Sequence, residues 1–222
     1  MRPTQGSKRH RSWGIETSRL VRALASREYS ATLSQVKLAE LLGVSQPRIS
    51  QILALLREAG VEACTDSPSV RLKLIDLYVE HHRPAQAVRT FWFRLDSQRD
   101  QIERIAALAR RRRIKMTVSA DFAPDVLRAW RVPTRTAVYV HSSTDPSFLD
   151  RADFVRAPAL GESSIVVVQT PDESLLVPWA TRRTSVPLAH PVQQIWDLVN
   201  FGGVDRMEAA EHLKAAIIKG EL

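Results

Sequence analysis

A run of polar side chains between residues 45 and 57 has the hydrogen-bonding groups that read the edges of DNA bases. Its outward positions are Ser45, Gln46, Arg48, Ser50, Gln51 and Arg57. In the major groove a glutamine can pair with adenine, an arginine with guanine, and a serine with a base or a phosphate. No acidic residue interrupts the run before Glu58, so this face suits a groove lined with phosphates.

The apolar residues between these polar ones predict the element that positions them. Four of them recur at i, i+3, i+4 and i+7, the spacing of one buried helix face: Ile49, Ile52, Leu53 and Leu56. Gly60 follows where a left-handed residue commonly ends a helix. The sequence therefore predicts a helix that starts at Ser45, ends before Gly60 and turns its polar side to solvent.

A second helix is predicted just before it, capped by Ser34 and ended by Gly43. The positions where two steeply crossing helices must touch hold apolar or small residues: Leu38, Ala39, Leu42 and Val44. Gln35 to Ala54 thus has the pattern of a helix-turn-helix, in which Lys37 would lie near a DNA phosphate. The alternative is an ordinary helical hairpin inside a core.

Two short segments after this unit favour a β-hairpin. Val61 to Cys64 and Val70 to Leu74 flank a turn at residues 66–69, and Arg71 and Lys73 alternate with the apolar residues of the second segment. Such a hairpin would be the wing of a winged helix-turn-helix, with Arg71 and Lys73 reaching the DNA backbone. A solvated edge with no DNA contact is the alternative.

These patterns predict three parts of the chain. Residues 1–16 are predicted to be a flexible basic arm, residues 17–74 the winged helix-turn-helix and residues 75–222 an α/β domain. Thr17 or Ser18 would cap the first helix of the winged helix-turn-helix. Five helices are expected in the last part: residues 75–82, Ser97 to the basic run at 110–115, residues 124–130, one that begins at Pro191, and one that follows an Asp205–Glu208 capping box. Three strands are expected there, at residues 114–118, 136–140 and 164–169. The predicted fold class is α+β, with a mixed α/β domain that ends in helices.

The positive charge is concentrated in the first half of the chain. The net charge is +8, made up of +11 over residues 1–115 and −3 over the rest. A basic N-terminal half favours a polyanionic partner, although net charge alone also suits a membrane surface or simple solubility. The dense run from Arg110 to Lys115 would either extend a phosphate track or complement the dipole at the end of a helix.

Several kinds of function are disfavoured by residues that the sequence lacks. The single cysteine, Cys64, cannot form an internal disulfide or a zinc site built on paired cysteines, and it fits a reducing cytoplasm. His81 and His82 would point about 100° apart on a helix, which makes them poor joint metal ligands. No apolar run approaches the ~20 residues of a membrane span. We expect no catalytic site, metal or cofactor.

Four stretches give the chain a family resemblance. They run from Thr117 to Leu127 (TVSADFAPDVL), from Val132 to Val140 (VPTRTAVYV), from Pro191 to Val199 (PVQQIWDLV) and from Glu208 to Leu213 (EAAEHL). The N-terminal half resembles the winged helix-turn-helix of many bacterial regulators. The remainder resembles the antitoxin of abortive-infection type IV toxin-antitoxin systems, the AbiEi family. That family usually has a glycine near the position of Ala120.

The resemblance implies a cytoplasmic two-domain protein. Its N-terminal domain would bind double-stranded DNA at the operator of its own operon and repress it, and its C-terminal domain would counteract a nucleotidyltransferase-like toxin. A stand-alone transcriptional repressor with no toxin partner is the first alternative. A nucleotidyltransferase-like enzyme is the second, disfavoured because no Gly-Ser pair is followed at a suitable distance by paired aspartates that could hold a metal.

Overall fold

A computed structural model of the chain describes residues 13–26, 34–63, 67–84, 86–130 and 132–222. The helices are α1 (Ile15–Ala25), α2 (Gln35–Leu42), α3 (Gln46–Glu58), α4 (Pro68–His81), α5 (Gln98–Arg111), α6 (Phe122–Leu127), α7 (Pro191–Phe201) and α8 (Val204–Lys219). The strands are β1 (Val88–Phe93), β2 (Met116–Ala120), β3 (Thr136–His141), β4 (Val155–Arg156) and β5 (Ile165–Thr170). This part of the chain is mixed α+β, as predicted. The basic arm up to residue 12, Cys64 and Asp66 lie outside it.

The strands form one mixed sheet in the order β2-β3-β5-β1-β4. The β3–β5 pair is parallel, and the other pairs are antiparallel. An extended segment covers the outer edge of β2, because Val118 donates to Pro187 O at 2.8 Å and Ala189 donates to Val118 O at 2.7 Å. That edge is therefore hydrogen-bonded within the chain and does not offer a free row of backbone groups.

Helices cover both faces of the sheet. Ser119 and Tyr139 lie on one face, where both donate hydrogen bonds to Asp197 of α7. Successive strand residues point to opposite faces, so Val138 lies on the other face, and it belongs to the same buried cluster as Ile102 of α5. Because both faces are covered, β3 is apolar and buried almost throughout instead of alternating with polar residues.

The predicted wing is wrong, because α4 occupies residues 68–81 and no strand occurs in the described residues between 61 and 84. Ser67 is the N-cap of α4 and accepts from Val70 N at 3.2 Å, while Pro68 is the first helical residue. The sequence pattern instead predicts a turn at this pair. The inward positions of α4 are Arg71, Leu74, Ile75 and Tyr78. They have helical spacing, but an arginine at the first of them hides the apolar period.

Two cap predictions are also wrong, while three helix boundaries agree with the sequence. Helix α1 begins at Ile15, so Thr17 and Ser18 lie inside it and are buried. Ser18 Oγ accepts from Trp13 Nε1 at 2.8 Å and lies 3.0 Å from His82 Nδ1, so both of its partners lie outside α1. Helix α8 begins at Val204, which puts Asp205 in the first turn and not at the cap. The confirmed boundaries are the Ser34 and Ser97 N-caps and Pro191 as the first residue of α7.

The N-terminal helices share their core with the sheet. Helix α1 packs along α4, and α4 packs on α7 and α8. The predicted boundary between Leu74 and Ile75 falls inside α4, and both residues are buried in a cluster that extends from Leu20 to Ile217. Helix α4 is therefore a shared element of both parts of the chain and not a linker between them.

A chain of buried hydrogen bonds crosses this shared core. Arg22 of α1 donates from Nη1 to Tyr78 OH at 2.9 Å, and Tyr78 donates to Gln193 Oε1 at 2.5 Å. Gln193 Nε2 then donates to Tyr139 OH at 2.8 Å, and Tyr139 donates to Asp197 Oδ1 at 2.7 Å. Every group in this chain is buried, so each bond satisfies a polar atom that would otherwise be costly to remove from water.

A buried ion pair joins β2 to the start of α8. Arg206 donates to Asp121 from Nε at 2.7 Å and from Nη2 at 2.9 Å, and the Asp121 side chain is 0% exposed. The backbone N–H groups of Thr134 and Arg135 also donate to Asp121 Oδ2. Burial alone would raise the pKa of Asp121, but Arg206 and these backbone donors lower it below its usual value.

We expect Asp121→Ala to lower the free energy of unfolding by about 3 to 5 kcal/mol, because it leaves Arg206 and two backbone donors without their acceptor. Urea denaturation at neutral pH measures this loss. Glu208→Ala, exposed on α8, is the matched control and should change the stability by less than about 0.5 kcal/mol. Similar losses in the two variants would contradict the role given to the ion pair.

Stability between pH 4 and pH 6 should depend on two opposing sets of buried groups. Burial lowers the pKa of His82 to about 3 and the pKa of His190 well below its usual value, so acid protonates these rings more readily in the unfolded chain and destabilises the fold. Burial raises the pKa of Asp197 to about 6, so this carboxyl group takes up its proton first in the folded chain. Asp197 thus opposes the loss of stability on acidification.

Asp197→Asn should therefore steepen the loss of stability between pH 6 and pH 4 by about 2 to 3 kcal/mol. His82→Gln should make the same profile shallower, because it removes a group that binds its proton only in the unfolded chain. Denaturant midpoints measured at half-unit pH steps give the two profiles. A profile of Asp197→Asn that runs parallel to that of the natural sequence would contradict the assignment.

Candidate nucleic-acid interface

Helices α2 and α3 form the compact pair that the sequence predicts, joined by three residues, Gly43, Val44 and Ser45. Ser34 Oγ accepts from Lys37 N at 3.2 Å and caps α2. The facing residues of the two helices are buried: Leu38, Ala39, Leu42, Ile49, Ile52 and Leu53. A short turn that contains a glycine between two tightly packed helices is found in a helix-turn-helix and also in an ordinary helical hairpin.

Gly43 sets the direction of the turn. Its φ is +63°, the left-handed region that a side chain disfavours, and a Cβ built on it would meet nothing within 4 Å. Gly43 N donates to Glu40 O at 3.2 Å and Val44 N donates to Ala39 O at 3.0 Å, so these two carbonyls in the last turn of α2 are satisfied. The requirement for glycine is therefore one of backbone conformation and not of space.

The N-terminal half of α3 presents its polar residues to solvent. Ser45, Gln46, Ser50 and Gln51 are all exposed, as predicted from the sequence. Gln46 Nε2 donates to Gln35 Oε1 at 3.1 Å, which ties the start of α3 to the start of α2. A row of uncharged hydrogen-bonding groups therefore lies on the open side of the helix pair.

Arg48 is less free than the sequence suggests. Its Nη2 lies 3.3 Å from Oε2 of Glu16 on α1, and its side chain is 36% exposed. The ion pair holds the arginine at the border between α3 and α1. Arg48 therefore belongs to the edge of the polar row and not to its centre.

The other two cations of the helix pair also have acidic neighbours. Lys37 Nζ lies 3.0 Å from Glu40 Oε2, and Arg57 Nε lies 3.7 Å from Glu62 Oε1. Both pairs are more than half exposed at each partner. Exposed pairs of this kind contribute about 0 to 1 kcal/mol, so an incoming phosphate can replace the carboxylate.

Arg71 and Lys73, predicted to lie on a wing, are both on helix α4. Arg71 is 2% exposed and donates from Nη2 to Ile218 O of α8 at 2.6 Å, so it is part of the core and is not available to DNA. Lys73 is exposed on α4, and its Nζ lies 3.4 Å from Gly60 O just beyond α3. Lys73 therefore lies beside the pair of α2 and α3, although on a helix and not on a strand.

Two contacts that α1 makes with this surface could not be predicted from the sequence. Glu16 lies 32 positions before Arg48, and Arg19 of α1 donates from Nη1 to Leu42 O at the end of α2, at 2.7 Å. Both contacts depend on how α1 packs against the helix pair. Local periodicity predicts that α1 is a helix, but it carries no information on which of its polar residues meet α2 and α3.

In the part of the chain that the structure describes, no three His, Cys, Asp or Glu side chains are placed to hold a metal ion. None of the helices given above is long and apolar enough to cross a lipid bilayer. No family model, curated protein or solved structure matches the chain.

We expect Gly43→Ala to lower the free energy of unfolding by about 1 to 2 kcal/mol, because alanine must adopt the left-handed conformation while its methyl group meets open space. Gly43→Asn should cost less, since asparagine tolerates this conformation better. Urea denaturation of the two variants provides the comparison. A larger loss for asparagine than for alanine would show that the turn is limited by space after all.

Proposed function

We propose that the chain binds double-stranded DNA through α3 and acts as a transcriptional regulator. The observation that carries the proposal is the exposed row Ser45, Gln46, Ser50 and Gln51, which begins three residues after α2 ends and contains no acid. An α-helix fits the major groove, and in a helix-turn-helix the N-terminal residues of the second helix meet the base edges. The backbone N–H groups at the start of α3 also favour a nearby phosphate.

The surrounding charges fit contacts to the phosphate backbone on either side of this row. Lys37 on α2, Arg57 near the end of α3 and Lys73 on α4 are all exposed. Arg48 at the border with α1 supplies a guanidinium that can pair with guanine if it leaves Glu16. We assign Gln46, Arg48, Ser50 and Gln51 to the bases, and Lys37, Arg57 and Lys73 to phosphates.

The narrower role of an autorepressing antitoxin is supported by the stretches that carry the family resemblance. Ser119, Tyr139 and Asp197 come from three of these stretches and meet in one buried cluster, with Ser119 Oγ 2.5 Å and Tyr139 OH 2.7 Å from the Asp197 carboxylate. Ala120, near which that family usually has a glycine, has a left-handed φ of +58°. Residues from three of the four stretches thus contact one another in the fold, and the backbone conformation of Ala120 is one that glycine adopts readily.

Gln51→Ala and Arg48→Ala should each lower the affinity for a preferred duplex by about 1 to 3 kcal/mol and relax the base preference. The duplex is first selected from a random library, and affinities are then measured by fluorescence anisotropy at two salt concentrations. Lys37→Ala should instead weaken all duplexes alike and reduce the salt slope by about one.

Arg104→Ala, exposed on α5, is the control for loss of one positive charge away from α3. It should leave the base preference unchanged. Absence of duplex binding at low salt would contradict the proposed function. Equal loss on every duplex for Gln51→Ala would remove that residue from the base-reading set.

Coexpression with the gene beside its own separates the two forms of the proposal. An antitoxin should restore growth to cells in which that neighbouring gene alone arrests it. A neighbouring gene that is harmless alone would contradict the toxin link and leave a stand-alone regulator, with the DNA measurements unaffected.

A further inference from the structure

A cavity of about 670 Å³ opens between α5, the start of β2 and the segment from Glu173 to Pro187. Its volume lies within the range of sites that hold small molecules, about 300 to 1,000 Å³. The floor is formed by buried apolar side chains, among them Ala106 and Ala109 of α5, Met116 of β2 and Leu176. The cavity is thus a concave apolar site that the proposed DNA contacts do not use.

Cations surround this apolar floor. Arg19, Arg110 and Lys115 line the cavity together with a single carboxylate, Glu173. Within the described ranges, neither Arg110 nor Lys115 has an acidic side chain within ion-pair distance. Three positive charges against one negative charge beside apolar walls favour a ligand with an anionic group and an apolar body.

Arg19 is held in place before any ligand arrives. Its Nη1 donates to Leu42 O at 2.7 Å, which fixes the guanidinium at the side of the cavity near α2. A guanidinium has five N–H donors, so this bond leaves others available for an anion. A donor that is already ordered loses less conformational entropy when a ligand binds.

We propose that this cavity binds an anionic amphipathic small molecule, with its apolar body against α5 and β2 and its anionic group at Arg110, Lys115 and Arg19. The proposal also gives a role to two residues of the basic run from 110 to 115. It does not depend on DNA binding, because the cavity residues and the outward row of α3 are different sets.

Anilinonaphthalene sulfonate is the probe, since it combines an apolar body with one anionic group and fluoresces when that body leaves water. We expect one saturable site per full-length chain. Phenylnaphthylamine, which lacks the sulfonate, should bind at least about fivefold more weakly. The double variant Arg110→Gln with Lys115→Gln should weaken the sulfonate by about tenfold or more and reduce the preference between the two probes, of which Arg19 retains a part.

The matched control is Arg111→Gln with Arg112→Gln, which removes the same charge from the same run at positions that do not line the cavity. It should change the affinity for the sulfonate by less than about twofold. Circular dichroism confirms that both double variants keep the fold. Absence of saturable binding, equal binding of the two probes to the natural sequence, or equal losses in the two double variants would each overturn the proposal.

Discussion

A buried arginine fixes the relation between the N-terminal helices and the sheet. Arg22 is 3% exposed, and a guanidinium in such a place must be hydrogen-bonded to offset the loss of water. Its partners come from distant parts of the chain, because Nη1 meets Tyr78 of α4 and Nη2 meets Ser174 Oγ at 2.6 Å. Sliding α1 along α4 would leave this charge without partners, so α1 has one favoured position.

The position of α1 in turn decides what α3 can show to solvent. Helix α1 supplies Glu16 to Arg48 and Arg19 to the last carbonyl of α2, so it contacts the helix pair at both of its elements. The apolar side of α3 is used in packing, and the side left open carries Ser50 and Gln51. The exposure of Ser50 and Gln51, which we propose to read DNA bases, is therefore a consequence of which side of α3 packs into the core.

Local sequence patterns predicted the helix ends that depend only on residues close in the chain. Ser34, Gly43 and Gly60 mark the ends of α2 and α3, because capping and left-handed turns involve neighbours in the chain. The same patterns failed at α4, where Arg71 replaces an apolar residue on the inward face. Its acceptor, Ile218 O, lies 147 positions away, so the reason for a buried arginine is not present in the local sequence.

At the candidate site, too, local patterns predict contacts between chain neighbours but not contacts between distant residues. Exposure of Gln46 and Gln51 follows from the helical period, since neither belongs to the buried face of α3, which consists of Ile49, Ile52, Leu53 and Leu56. The ion pairs of Lys37 and Arg57 lie within five residues and could have been anticipated from the charges alone. The pair between Arg48 and Glu16 could not, because it requires knowing which face of α1 meets α3.

The basic run after α5 illustrates why a charge pattern does not assign a role to each of its members. Helix α5 ends at Arg111, and Arg113 then takes a left-handed φ of +57°, which turns the chain toward β2. Arg110 before this turn and Lys115 after it both line the cavity, whereas Arg112 does not. Complementing the helix dipole explains why cations are favoured at the end of α5, but it acts within the last turn and gives no reason for Lys115 at the entrance to β2. The two explanations therefore overlap at Arg110, which lies in the last turn of α5 and lines the cavity, and they separate at Lys115, which lies beyond that turn.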